Sequence, residues 1–244
     1  QGTNILMSLD LKKKTNNKTG RYSFVNHLKQ KFDKVGSTGS NASVGALLRG
    51  TVNSLVSKRY SELRVEQITK ASNISRATFY NHFDSKLAIC CDVFIEYSIF
   101  TNDLIFTTEK TNYLFDQMFE ICLNYIKLLQ ANSALHHRFI ELSSEIPEIS
   151  NLLYEYTRRN IESFSHQLNQ NKEDLIVQDQ LADRWLITSL LHENAYGIYV
   201  TGRTPARRIS IKSPEHLAYK VSLMMYRAEF ACDPPGTCEA PQIR

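Results

Sequence analysis

The sequence predicts an all-α fold, in which a small N-terminal three-helix bundle precedes a larger helical domain, with about nine helices in total. Apolar residues recur at helical spacing from residue 42 to residue 230, and no long stretch shows the alternation of a half-buried strand. The 244 residues are 42% hydrophobic and 22% charged. This composition is typical of a globular protein that buries a substantial core.

Residues 1–40 are predicted to form a basic, largely disordered extension. They contain few apolar residues and many Lys, Asn, Ser and Thr residues, so they bury too little apolar surface to offset the entropy of folding. Phe24, Leu28 and Phe32 suggest no more than one helical turn. The lysine run at residues 12–14 is either an arm that reaches along a polyanion or a solvated tail, and the sequence leaves both readings open.

The domain at residues 41–90 is predicted to contain three helices. The first helix runs from Ala42 to Tyr60, because its apolar residues have helical spacing. They are Val44, Leu47, Leu48, Val52, Leu55, Val56 and Tyr60. This helix is expected to cover the two helices that follow.

A helix, a tight turn and a second helix are predicted between Val65 and Lys86. Asn73 suits the turn because Asn tolerates the left-handed conformation that a helix end requires. Ser75 is expected to cap the second helix by accepting a backbone N–H, and Asp84 is expected to cap the helix after it. Two helices joined by such a turn form a helix-turn-helix, whose second helix enters the major groove of DNA.

The second helix carries Phe79 and Phe83 on one face and a set of polar side chains on the other. The set is Arg76, Thr78, Tyr80, Asn81 and His82. Arg reads guanine, Asn reads adenine, Thr contacts the thymine methyl group, and Tyr and His donate to phosphates. The alternative, an ordinary helical hairpin, does not account for this polar face.

The same stretch resembles the DNA-binding signature of the TetR/AcrR family of bacterial repressors, over roughly residues 42–95. The signature reads Ser-x-x-Thr-(apolar)-Tyr-x-His-Phe-x-Ser-Lys. This chain has Ser75, Thr78, Phe79, Tyr80, His82, Phe83, Ser85 and Lys86 in that order and spacing. There are three departures: Asn73 replaces the usual turn Gly, Arg64 replaces a capping Ser or Thr, and Leu87 replaces an acidic residue.

The resemblance implies that Tyr80, His82 and Lys86 contact phosphates. Lys86 lies in the first turn of a helix, where a cation opposes the helix dipole unless an anion binds there. Arg76, Thr78 and Asn81 are assigned to base edges. The predicted DNA-binding residues are therefore Ser75, Arg76, Thr78, Tyr80, Asn81, His82 and Lys86.

Charge is distributed unevenly along the chain. Residues 1–90 hold fifteen Lys and Arg against five Asp and Glu, a net charge of +10, whereas the remainder holds fourteen against twenty, a net charge of −6. A basic head on an acidic body is typical of a protein that binds a polyanion through one domain. Double-stranded DNA is the expected partner.

Residues 91–231 are predicted to form the larger, effector-binding and dimerisation domain, and residues 232–244 an irregular tail. The last two helices, at about 178–200 and 213–230, are too apolar for one buried face, so each needs a second partner. The resemblance implies that two copies of the chain pair through these helices as a four-helix bundle. A homodimer would read a near-palindromic operator.

Other features of the sequence argue against several classes of site. The five cysteines are odd in number and form no CxxC pair, which argues against a disulfide framework or a zinc site and fits a reducing cytoplasm. Cys90 and Cys91 are read as packing residues; whether Cys232 and Cys238 ever pair stays open. No membrane span, metal site, cofactor or catalytic signature is expected, so the protein is not predicted to be an enzyme.

The predicted function is that of a cytoplasmic, homodimeric transcriptional repressor that a small-molecule effector releases from its operator. The effector is expected to be apolar or amphipathic, since aromatic residues are frequent in the body. The candidate pocket residues are Phe119, His136, Phe139, Trp185 and Tyr196. Two alternatives remain, an architectural DNA-binding protein without an effector and a helical enzyme or carrier, and the charge distribution argues against the second.

Overall fold

The computed structural model describes residues 20–34, 39–106, 113–169, 178–203, 211–230 and 232–234. These residues form ten α-helices, the short 3-10 helices Gly20–Tyr22 and Tyr60–Glu62, and no strand, so the predicted all-α fold is confirmed. The α-helices are α1 (Phe24–Lys34), α2 (Ser40–Ser57), α3 (Val65–Ser72), α4 (Arg76–Tyr80), α5 (Lys86–Phe106), α6 (Leu114–Ala131), α7 (Ser133–Glu145), α8 (Pro147–Asn169), α9 (Gln178–Tyr199) and α10 (Pro214–Phe230).

Helix α1 is additional to the nine predicted helices, and the expectation of disorder is wrong for residues 20–34. Phe24 and Leu28, four residues apart on one face, have no exposed surface. Phe32 lies so close to Gly45 of α2 that a Cβ on this glycine would be 2.4 Å from the phenyl ring. Residues 1–19, with the lysine run, and residues 35–38 lie outside the described residues.

The start of α1 is held by a side chain more than a hundred residues away in sequence. The Asn132 Oδ1 accepts the backbone N–H of Phe24 at 2.9 Å, and the Asn132 Nδ2 donates to the Tyr22 carbonyl at 2.7 Å. Asn132 is buried, so both hydrogen bonds are shielded from water. This side chain therefore adds a remote cap to the local one from Ser23, whose Oγ accepts the Asn26 N–H at 3.4 Å.

The described chain packs as two compact units. The first unit comprises residues 20–104 and 128–162, and it therefore contains the predicted helix-turn-helix domain together with α1, most of α5, α7 and the first part of α8. One apolar core runs through it, with Leu47 and Leu55 of α2, Phe79 of α4 and Phe94 of α5 among its buried members. Cys90 belongs to this core, and burial raises the pKa of its thiol to about 12, as suits a packing residue.

The second unit comprises residues 105–127 and those from 163 onward. Arg184 of α9 and Glu229 of α10 form a buried ion pair with two hydrogen bonds, at 2.6 and 3.1 Å. The Phe115 ring of α6 meets Tyr219 and Tyr226 of α10 edge to face. These contacts link α6, α9 and α10.

The chain beyond α10 is described as far as Pro234. Cys232, Asp233 and Pro234 lie outside any helix, and residues 235–244, with Cys238, are not among the described residues. No helix among the described residues combines the length and the apolarity needed to cross a membrane.

Candidate nucleic-acid interface

The turn between α3 and α4 has the geometry of a helix-turn-helix. Asn73 adopts the left-handed conformation, with φ 54° and ψ 41°, which confirms its predicted place at the helix end. Its N–H donates to the Lys70 carbonyl at 3.3 Å, and the Ile74 N–H donates to the Thr69 carbonyl at 3.0 Å. These bonds satisfy the last carbonyls of α3 and set the direction in which α4 leaves the turn.

Helix α2 crosses α3 at Gly50, where the two backbones nearly touch. A Cβ at this position would lie 2.1 Å from the Ser72 Oγ and 2.9 Å from the Ser72 backbone nitrogen. Only glycine permits this approach. This contact is not predictable from the sequence, because one glycine inside a helical pattern does not reveal which element crosses it.

The ends of these short helices are capped by neighbouring side chains. Ser75 caps α4 as predicted: its Oγ accepts the Thr78 N–H at 3.0 Å and lies 2.8 Å from the Thr78 Oγ1. Helix α5 is capped by Ser85, which accepts the Ala88 N–H at 3.1 Å, so the prediction that Asp84 is the cap is wrong. At α3, the Gln67 Oε1 accepts the Arg64 N–H at 3.0 Å, a bond that a Gln three residues after the N-cap position indicates.

Helix α4 and the three residues after it separate apolar and polar side chains as the sequence predicts, although the helix itself ends at Tyr80, before Asn81, His82 and Phe83. Phe79 has no exposed surface and Phe83 very little, and their rings are 5.8 Å apart. On the other side Arg76, Tyr80 and Asn81 are exposed, and Thr78 and His82 are partly exposed. The structure thus places all five polar residues on one short segment, held by a buried aromatic anchor.

Arg76 is held by two neighbours on this surface. Its Nη1 lies 2.6 Å from the Glu66 Oε1 of α3, and its guanidinium carbon is 5.6 Å from the centre of the Tyr80 ring. Glu66 is absent from the predicted site. An acidic residue in the first turn of a helix ordinarily indicates only a favourable interaction with the helix dipole.

Lys86 makes contacts within the protein. Its Nζ donates to the backbone carbonyls of Tyr60 and Leu63, both at 2.9 Å, and lies 4.1 Å from the centre of the Tyr60 ring. A lysine ammonium has three hydrogens, so these two bonds leave one for another acceptor. The phosphate contact predicted for Lys86 stays a prediction.

The predicted pocket residues divide between the two units. In the first unit Phe139 is buried, with its ring centre 4.8 Å from that of Phe94, and His136 is buried with its Nδ1 3.5 Å from the Tyr97 hydroxyl. In the second unit lie Phe119, Trp185 and Tyr196.

In the second unit, Trp185 is 49% exposed, and Tyr196 stacks on His192, with the ring centres 5.6 Å apart. The His192 Nδ1 also shares a hydrogen bond with the Tyr125 hydroxyl, and burial lowers the pKa of this histidine. Tyr125 and His192 were not predicted as site residues. The five-residue pocket stays a prediction.

No group of three His, Cys, Asp or Glu side chains arranged to hold a metal ion occurs in the described part of the chain.

The comparisons with known proteins bear on the helix-turn-helix and on the fold. Residues 47–90 match the family model described as bacterial regulatory proteins, tetR family. The chain is 26% identical over 103 residues to IcaR of Staphylococcus aureus strain Newman, the HTH-type negative transcriptional regulator of the biofilm operon icaADBC. That match covers 40% of this chain and 52% of IcaR, so the chain spans about half the length of the curated relatives it matches.

Two solved structures share the fold over most of the chain. Salmonella enterica GusR has a TM-score of 0.59 and 19% identity, and the match covers 80% of this chain and 98% of GusR. A TetR family transcription regulator from Marinobacter aquaeolei VT8 has a TM-score of 0.52 and 17% identity, over 79% and 97% of the two chains. These likenesses show the fold, and residues 47–90 match the model of the tetR family of bacterial regulatory proteins, the family that the sequence resembles.

Proposed function

We propose that this protein is a homodimeric, sequence-specific DNA-binding regulator that inserts α4 into the major groove of its operator. The observation that supports this function is the arrangement of α4. A buried Phe79 anchors the helix and Ser75 caps it; its outer side presents a guanidinium, a hydroxyl and a phenol, and the two residues after it add an amide and an imidazole. These groups form a mixed set of base readers and phosphate donors.

The proposed division of contacts follows from side-chain chemistry. Arg76, Thr78 and Asn81 read base edges. Tyr80 and His82 donate to phosphates, and Lys86 does so with its remaining ammonium hydrogen. Ser75 contributes by fixing the first turn of α4. The net charge of +10 in residues 1–90 supports this proposal, because phosphate neutralisation supplies much of the affinity of DNA-binding proteins.

A second copy of the chain is the proposed partner of α9 and α10. Four large apolar side chains on these helices are roughly half exposed: Trp185, Leu186, Leu190 and Met224. Large apolar side chains left exposed on two neighbouring helices are typical of a protein–protein interface. A two-fold dimer would present two α4 helices to half-sites about 34 Å apart, and hence to a near-palindromic operator.

Regulation by a small molecule completes the proposal. IcaR is named as a negative regulator, which supports repression as the direction of control here. An apolar or amphipathic effector bound in the helical body would lower operator affinity if it bound one conformation of the dimer more tightly than another. The protein would act in the cytoplasm through binding rather than catalysis.

The test is selection of bound duplexes from a random pool, with the wild type and Tyr80→Ala in parallel and at two salt concentrations. We expect the wild type to enrich an inverted repeat and Tyr80→Ala to enrich it poorly. Tyr80 is 45% exposed, so its truncation should leave the fold intact, and a circular dichroism spectrum checks this. Binding without an enriched motif, falling steeply with salt, would instead support an architectural protein that contacts only the DNA backbone.

A further inference from the structure

Glu66 occupies an unexpected place on the DNA-facing surface. It is the second residue of α3, and its carboxylate meets the guanidinium of Arg76, the first residue of α4, at 2.6 Å. In a helix-turn-helix the first helix crosses the DNA backbone. A carboxylate there repels the nearby phosphates, so it reduces the affinity that the surrounding positive charge provides.

The Glu66–Arg76 ion pair is too exposed to contribute much to the stability of the fold. The side chains of Arg76 and Glu66 are 62% and 55% exposed, and ion pairs with such exposure contribute little to folding because water and salt screen them. The effect of Glu66 should therefore be on how Arg76 contacts bound DNA.

The geometry restricts how the guanidinium can turn. Glu66 pairs with the Nη1 of the planar fork, and the centre of the Tyr80 ring lies 5.6 Å from the guanidinium carbon. An arginine fork has five N–H donors in fixed directions. A contact that holds one nitrogen of the fork restricts the orientations open to the remaining donors, and a pre-oriented donor set loses less entropy on binding.

We propose that Glu66 is a positioning residue for base readout, which orients the Arg76 fork toward a guanine edge and keeps it from turning to a phosphate. This inference rests on the proposed function of α4. Under it, Glu66 lowers affinity for arbitrary DNA through its charge while it raises affinity for the operator through the orientation of Arg76. Glu66 therefore raises the ratio of operator affinity to affinity for arbitrary DNA.

The experiment measures affinity for the selected operator and for a scrambled duplex of the same length, at one salt concentration, for several variants. Glu66→Gln should bind the scrambled duplex more tightly and the operator more weakly, so that the specificity ratio falls by about tenfold, the range that one good arginine–guanine contact provides. Glu62→Gln is the charge-matched control: it removes another exposed carboxylate of the same domain and should leave the ratio unchanged.

Two further variants separate orientation from charge. Glu66→Asp keeps the charge but shortens the side chain, so affinity for the scrambled duplex should stay at the wild-type value while the ratio falls. In an Arg76→Ala background, Glu66→Gln should no longer change the ratio, since the residue it positions is gone.

The result that overturns the proposal is an equal rise in affinity for both duplexes with Glu66→Gln, because Glu66 would then act by charge alone. A wild type without preference for any duplex would instead refute the proposed function. The two failures are thus distinguishable in the same measurement.

Discussion

Lys86 donates to two backbone carbonyls, those of Tyr60 and Leu63, and the Tyr60 carbonyl also accepts the Leu63 N–H at 3.1 Å. Both belong to the segment between α2 and α3, the short helix Tyr60–Glu62 and the residue after it. Leu63 is buried, so water has little access to replace the ammonium there. Unsatisfied buried acceptors cost free energy, and this lysine therefore ties the start of α5 to the entry of α3.

Replacing Lys86 by Met should lower the free energy of unfolding by about 1–3 kcal/mol, since the buried Leu63 carbonyl loses its lysine donor and the Tyr60 carbonyl keeps only the Leu63 N–H, while the aliphatic part of the side chain is kept. Denaturant unfolding followed by circular dichroism measures this change. Lys70→Met, at an exposed lysine of α3, is the control and should change stability by less than about 0.5 kcal/mol. Unchanged stability in Lys86→Met, with a weaker salt dependence of DNA binding, would mean that Lys86 serves phosphate alone.

The crossing of α2 and α3 makes Gly50 the tightest position of the helix-turn-helix. Alanine ordinarily stabilises a helix relative to glycine by about 1 kcal/mol. Here the new methyl group would meet a backbone nitrogen at 2.9 Å as well as the Ser72 hydroxyl, and a backbone cannot yield as a side chain does.

We expect Gly50→Ala to reverse the usual sign and lower the free energy of unfolding by about 1–3 kcal/mol, the usual cost of overpacking. Thermal and denaturant unfolding measure it. Asn53→Ala, at an exposed position of the same helix, should be neutral or slightly stabilising. A stabilised Gly50→Ala variant would show that α2 and α3 are farther apart than described.

Helix α1 joins the first unit through contacts on several sides. Its apolar side chains enter the core, Asn132 caps its start, and Lys31 pairs with Glu96 of α5 at 2.6 Å. Leu28, in the middle of α1, is fully buried. These contacts make α1 part of the packing unit that carries the helix-turn-helix.

Leu28→Ala should lower the free energy of unfolding by about 2–5 kcal/mol, because truncating a buried leucine loses transfer free energy and leaves a cavity. Lys29→Ala, at an exposed neighbouring position, should have little effect and controls for helix propensity. Equal stability of the two variants in denaturant unfolding would contradict the packing of α1.

Elements with local sequence signals were predicted well, whereas those that depend on distant contacts were not. The α3–α4 turn was predictable because Asn73 and Ser75 each carry a conformational preference of their own. By contrast, α1 also depends on Asn132 and on buried contacts with distant helices, and no local pattern reveals a cap 108 residues away. The carbonyl partners of Lys86 lie 23 and 26 residues upstream, and the Glu66–Arg76 pair depends on how the turn folds back.

For the whole molecule, the opposite charges of the two parts of the sequence have a functional consequence. Residues 1–90 carry a net charge of +10 and the remainder −6, so a polyanion is attracted to one part of the chain and repelled by the other. Two copies joined through α9 and α10 would together present two basic domains. The second domain then binds the same duplex at high effective concentration, which raises overall affinity without any new kind of contact.

Leu186→Glu tests this dependence on dimerisation. This substitution places a carboxylate among the exposed apolar side chains of α9. Burying that charge in an interface should cost too much free energy, so the protein should sediment as a monomer. A monomer binds one half-site, and operator affinity should fall by roughly 10²- to 10⁴-fold, the gain that linked binding provides. Sedimentation velocity and operator titration on the same samples measure both effects.

Tyr154→Glu is the matched control, because it places the same charge on another exposed large apolar residue, 68% exposed and located on α8. It should leave the sedimentation coefficient and operator affinity at wild-type values, provided that the interface lies on α9 and α10. If Tyr154→Glu dissociates the dimer and Leu186→Glu does not, the interface includes α8 instead. If neither variant dissociates it, the exposed side chains of α9 are not in the interface, and operator affinity should then be unchanged in both.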